Sequence, residues 1–78
     1  MISLKLREAI LGELGLDDFE FTEATTAAEV PGWDSLSHVR ILTAVEKAFG
    51  IQFRGLEVLR LRNVGELQAL VEKKTRGV

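Results

Sequence analysis

The stretch Gly32-Trp33-Asp34-Ser35-Leu36 holds the residues of this chain whose types and spacing could do chemistry. Pro31 and Gly32 disfavour helix continuation and favour a turn, and helical periodicity resumes at residue 35. Asp34 therefore falls at an N-cap and Ser35 at the first helical position, with its hydroxyl toward solvent and Leu36 entering the core. Such a hydroxyl is reachable by another protein. If it carried a phosphodiester, the free N–H groups and positive end of the helix would suit the negative charge. An ordinary helix start explains the same residues, since Asp and Ser are among the commonest caps, and on residue chemistry alone that simpler reading stands beside the first.

Other chemistries fit less well. His38 lies one turn beyond Ser35 and near the same helical face. A Ser–His hydrolase also needs an orienting acid, oxyanion donors and a sheltered pocket, and an exposed helix offers no shelter. Asp17, Asp18, Glu20 and Glu23 lack the ordered spacing of a calcium hand and read as a solvated acidic loop. The chain has no cysteine, which excludes thiolate zinc sites, disulfides and thiol nucleophiles. It has no glycine-rich phosphate loop, no metal-ligating His cluster and no carboxylate pair at an evident cleft, so no metal site is expected.

The elements that position these residues follow from periodicity. Leu6, Ala9, Ile10 and Leu14 share one face of a first helix over about residues 3–14, with Ser3 as cap and Gly15 as stop. Residues 15–34 lose that rhythm and form a long connection, anchored by Phe19, Phe21, Val30 and Trp33. Leu36, Val39, Leu42, Val45 and Phe49 recur every three or four positions in a central helix over residues 35–49, which Gly50 ends. Ile51 and Phe53 alternate about Gln52 in a packed linker too short for a sheet. A short helix follows over about residues 56–61. A last helix over about residues 64–74 starts with Asn63 and Glu66 in a capping arrangement. The expected fold is all-α, a small four-helix bundle with three major helices and a short third one.

With 78 residues, the chain has room for one compact domain. Apolar residues make up 46% and charged residues 28%, the balance of a folded domain rather than a disordered chain. No stretch approaches the roughly 20 apolar residues that cross a bilayer, and the acidic, amphipathic start differs from a signal peptide. The expectation is a cytoplasmic monomer without membrane insertion. A net charge of −2 with few aromatics also argues against nucleic-acid binding. The total conceals a gradient, since residues 1–24 hold two basic and six acidic residues while residues 50–78 hold six basic and three acidic.

Taken together, GWDSLSHVRILTAVEKAFGIQF resembles the central segment of the acyl carrier protein family. The likeness centres on Asp34-Ser35-Leu36, runs through Val39, Ile41, Leu42, Val45 and Phe49, and includes Gly50-Ile51. It implies an acyl carrier protein-like bundle with no catalytic activity of its own. It also implies that Ser35 receives 4'-phosphopantetheine from coenzyme A through a phosphopantetheinyl transferase. The terminal thiol of that arm would then carry an acyl, malonyl-type or related thioester, so the reactive sulfur would belong to the cofactor. Trp33, Asp34, Leu36 and His38 would lie beside the arm. Trp33 reads either as a partner contact or as an anchor of the long loop.

The surface departs from the common fatty acid carriers, whose central helix is rich in acidic recognition residues. Here Ser37, Arg40, Lys47 and Ala48 stand at positions usually acidic, and Glu46 is retained. Arg54, Arg60 and Arg62 extend a basic face that is either solvated or a docking surface. The resemblance therefore implies a stand-alone carrier serving acyl-loading, condensing or acyl-transfer enzymes of a specialised polyketide, hybrid peptide or modified-sugar pathway. A peptidyl or aminoacyl carrier is one alternative, and an unmodified helical adaptor that binds through Arg54, Arg60 or Arg62 is another.

Overall fold

The first two α-helices each start where a side chain accepts a free backbone N–H and stop at a glycine in the left-handed conformation. In the computed structural model, which describes residues 2–59 and 61–76, α1 spans Leu4–Leu14 and Ser3 Oγ accepts the Leu6 N–H at 3.3 Å. Gly15 closes α1 with its N–H on the Leu11 carbonyl. α2 spans Ser35–Phe49, capped by Asp34 and ended at Gly50. α3 is the five-residue helix Gly55–Leu59, and α4 spans Val64–Arg76. A single 3-10 turn, Ala27–Glu29, interrupts the long connection. No strand occurs among the described residues, and the molecule is an all-α, four-helix bundle.

The observed bounds of α3, which also ends at Leu59 rather than near residue 61, and of α4 differ from the periodicity reading, and two of these differences have local reasons. α3 begins at Gly55 because Glu57 Oε1 accepts the Arg54 N–H at 2.8 Å and organises the first turn from within. α4 continues to Arg76, where Lys73, Lys74 and Arg76 face the negative end of the helix dipole. At its start Asn63 Oδ1 accepts the Glu66 N–H at 2.8 Å. The Glu66 carboxylate returns to the Arg62 N–H at 2.6 Å, one residue earlier than a standard capping box.

The core joins Leu6, Ile10 and Leu11 of α1, Ile41, Leu42 and Val45 of α2, and Val64, Leu67 and Val71 of α4. Phe21 and Val30 enter it from the long connection, and α1 packs most extensively against α2. Gln68 is buried on α4, where its Oε1 accepts the Ser3 N–H at 2.9 Å and ties α4 to the start of α1. A buried amide so paired avoids the penalty of an unsatisfied polar group.

Two residues expected inside are outside. Leu36 is 63% exposed and Val39 60% exposed. At about 3.6 residues per turn, Leu36 lies about two and a half turns before Val45, on the opposite side of the helix. The buried face of α2 instead follows Ile41, Leu42 and Val45, with Phe49 packed at its edge. A run with apolar residues on both sides has two stripes that periodicity alone cannot rank.

The long connection is part of the packing. Its Thr25 carbonyl accepts the Val64 N–H at 2.8 Å and its Glu23 carbonyl accepts the Gly65 N–H at 2.9 Å, satisfying free donors at the start of α4. A Cβ on Gly65 would sit 2.6 Å from the Glu23 carbonyl oxygen and 2.9 Å from its Cα, so this close approach requires glycine.

Candidate functional site

The approach to Ser35 is set by a turn. Trp33 N–H donates to the Val30 carbonyl at 3.2 Å, closing Val30-Pro31-Gly32-Trp33, and Gly32 has φ +82°. Proline at the second position and positive φ at the third define a type II turn, which glycine enters without strain. With Val30 buried, the turn fixes where the next residues leave the core.

Asp34 then caps α2, its Oδ1 accepting the Ser37 N–H at 2.8 Å while its carbonyl accepts the His38 N–H at 2.8 Å. The Ser37 backbone N–H is the main cause holding the Asp34 carboxyl below the usual carboxylate range, and the Ser37 hydroxyl adds to it. Ser35 is exposed at the first position of α2, and among the described residues no hydrogen bond engages its hydroxyl.

Trp33 and His38 are half-buried and paired. The indole Nε1–H donates to His38 Nδ1 at 3.0 Å, which makes that nitrogen the acceptor and places the imidazole proton on Nε2. The indole also packs against the core cluster. His38 is thus turned to Trp33 and forms no hydrogen bond with Ser35 among the described residues, so the two make no nucleophile–base pair.

An open groove of about 470 Å3 runs from Ser35 and Asp34 over Ala27 and Ala28 to Trp33 and His38. Two alanines leave it shallow and unobstructed. A smaller pocket of about 30 Å3 lies behind Trp33 and His38, against Leu61, Val64 and Leu67. The residues therefore fit a covalently held arm: a free, reachable hydroxyl, a helix start that suits an anion, and a shallow groove beside it in which the Asp34 carboxylate, turned to the Ser37 N–H, is the one acidic group. No group of acidic and imidazole side chains among the described residues is placed to hold a metal ion.

The family described as "Phosphopantetheine attachment site" matches residues 4–71. The fold is similar to the solution NMR structure of the holo acyl carrier protein from Geobacter metallireducens, with a TM-score of 0.86 and 33% identity over 92% of this chain and 83% of that one. The chain belongs to the acyl carrier protein family. It is also similar to the acyl carrier protein of Thermotoga maritima, 29% identical over 90% of this chain and 86% of the relative. With that of Solidesulfovibrio magneticus it shares 26% identity over 94% of each. As a member of this family the chain is a non-catalytic carrier whose cofactor is covalently attached 4'-phosphopantetheine.

The structure places the other candidate residues of this carrier in different surroundings. Leu36, Arg40 and Lys47 share the outward stripe of α2 with Val39 and Thr43, and among the described residues neither cation forms an ion pair. Ser37 is half-buried against Asp34. Glu46 turns the other way, its Oε2 accepting the Phe53 N–H at 2.7 Å and fixing the linker after α2. Arg54 and Arg62 are exposed on either side of α3, while Arg60 lies outside the described residues. Periodicity gave no sign of the groove floor at Ala27 and Ala28, because small residues carry no pattern. The capping signature of Thr26 and Glu29, whose carboxylate accepts the Thr26 N–H at 2.8 Å, was the available clue to the 3-10 turn that places them.

Proposed function

We propose that Ser35 is the attachment residue for 4'-phosphopantetheine, and that the chain presents an acyl or malonyl-type thioester on that arm to partner enzymes of a specialised biosynthetic pathway. The observation that carries this reading is the exposed, unengaged Ser35 hydroxyl at the first position of α2, opening directly onto the 470 Å3 groove. When bound, the cofactor supplies the thiol that a cysteine-free chain lacks. The chain supplies position. Asp34 holds the first turn of α2, Ala27 and Ala28 keep the groove open, and the exposure of Ser35 admits a phosphopantetheinyl transferase. Tethering keeps the cargo at high effective concentration beside a docked enzyme.

Incubation with coenzyme A and a broad-specificity transferase is expected to add one phosphopantetheine by intact mass, and S35A to add none. Addition to S35A would move the attachment elsewhere, and no addition to the wild type by several active transferases would sink the reading.

The specialised pathway is supported by the outward stripe of α2. Leu36, Val39, Arg40, Thr43 and Lys47 carry apolar contact and positive charge with no acid among them, and Arg54 and Arg62 extend the positive charge beyond the helix. Ser37 lies beside this stripe, half-buried in the first turn of α2. The matching partners are acyl-loading, condensing or acyl-transfer enzymes that offer an apolar surface with acidic groups around it. The carrier acts as a monomer in the cytoplasm in this reading, consistent with helices that are all too short and polar to cross a membrane among the described residues.

A further inference from the structure

The groove beside Ser35 has a single side-chain proton donor left unspent. Among its lining residues Ala27 and Ala28 bear no donor, the ionised Asp34 carboxylate only accepts, and Ser35 Oγ becomes an ester oxygen once an arm is attached. Trp33 Nε1–H is spent on His38 Nδ1 at 3.0 Å. His38 Nε2–H remains, and among the described residues no hydrogen bond engages it.

The backbone at this helix start is partly used as well. Asp34 N–H goes to the Gly32 carbonyl at 3.1 Å and Ser37 N–H to the Asp34 carboxylate at 2.8 Å, so two of the amides that a helix start leaves free are engaged. A phosphodiester on Ser35 would keep a negative charge on its unesterified oxygens beside the Asp34 anion. Such a group calls for donors, and an N–H donated to an anion makes a stronger bond than one donated to a neutral oxygen.

His38 is placed to be that donor. It follows Ser35 by one turn on the same face of α2, where side chains at this spacing are neighbours. Helical side chains lean toward the N-terminus, and the bond to Trp33 holds the imidazole in that direction. The ring cannot turn over without setting a carbon against the indole N–H in place of Nδ1. Trp33 is held by its backbone N–H on the Val30 carbonyl at 3.2 Å and by packing of the indole against the core. Orientation and tautomer of the imidazole are therefore set independently of the arm. Among the described residues, the charged groups that line the same spaces as His38 are Asp34 in the groove and Arg62 in the small pocket.

We infer that His38 is a positioning residue for the arm: its Nε2–H hydrogen-bonds an unesterified oxygen of the phosphodiester on Ser35, and Trp33 fixes the ring that presents this proton. The bond restrains the first atoms of the arm beside α2, while the chain beyond the phosphate stays free to reach partner enzymes. The inference rests on Ser35 holding the arm, and its test separates the two claims.

Wild type and S35A are first treated with a transferase and coenzyme A and weighed by intact mass. An S35A chain that still gains the arm overturns the attachment residue and the role of His38 with it. With attachment at Ser35 established, phosphorus NMR of the holo form is followed from about pH 5 to about pH 8, where an imidazole titrates and a phosphodiester does not. The diester signal is expected to move with the same midpoint as the His38 ring carbons. In H38Q, whose side chain does not titrate, that movement is expected to vanish. Nitrogen NMR of the neutral ring is expected to show the Nε2–H tautomer, with Nε2 shifting on attachment of the arm and Nδ1 staying in place. A diester signal indifferent to the His38 titration, a movement that persists in H38Q, or an Nε2 signal unchanged by attachment overturns the role of His38 and leaves Ser35 as the anchor. The wild-type measurements stand without any variant. W33F removes the indole N–H and is expected to show both imidazole tautomers, and a W33F ring that keeps the Nε2–H form alone overturns the part given to Trp33.

Discussion

A carboxylate at a helix N-cap is stabilised as an anion by the amides it caps, so the cap and its protonation are linked. The Asp34 carboxyl is held below its ordinary range, mainly by the Ser37 N–H. A depressed folded-state pKa adds stability that is present above the unfolded carboxylate pKa and lost as pH falls through the folded value. D34A is therefore expected to unfold at lower urea than the wild type at neutral pH, and the gap to narrow on acidification through that window. D34N keeps a neutral cap oxygen and should stay near the wild type at pH 7, without that acid-dependent loss. Urea midpoints across pH check both, and a pH-independent gap would assign the loss to something other than the cap. The same substitutions touch function, because the residue after this cap is Ser35.

The short helix α3 depends on its neighbour. With five residues it is below the length at which a helix is stable alone. Lys74 of α4 bonds Glu57 at 2.8 Å, and this contact is the first cause holding the Glu57 carboxyl below its ordinary range. K74A is expected to speed amide exchange across residues 55–59 while leaving α1 and α2 protected. Acidification through the lowered Glu57 pKa should do the same in the wild type, and hydrogen exchange resolved by residue tests both. On α2 the expectation concerns partners. A malonyl-loading enzyme that serves acidic carriers should load this chain poorly, and the double variant R40E/K47E should load several-fold better at low salt, with the gain shrinking as salt rises. Equal loading of this carrier and an acidic one would remove the charge argument. These elements also show what the residues reveal unaided. α1, α2 and α4 each bury a stripe at helical spacing and carry a recognisable cap, so they are legible. The outward placement of Leu36 and Val39 is not, because an apolar residue intended for a partner obeys the same spacing as one intended for the core.

At the scale of the whole molecule, the connection between α1 and α2 works as a structural layer. It contributes Phe21 and Val30 to the core and two carbonyls to the start of α4. Those contacts link residues some forty positions apart through backbone atoms, which every residue type possesses, so no side-chain pattern announces them. G65A forces a methyl group against the Glu23 backbone and is expected to destabilise the fold by about 1–3 kcal/mol, measured by urea denaturation. No change in stability would mean that the loop can retreat from α4 without loss. The groove beside Ser35 has Ala27 and Ala28 from this same connection as its floor, so the layer that completes the core also shapes the site. The wall of that groove has one further consequence. The chain has a single tryptophan and no tyrosine, and that tryptophan is Trp33. Its intrinsic emission is therefore a built-in optical probe of the groove, whose colour and intensity should follow attachment of the arm, loading of cargo and arrival of a partner without any added label.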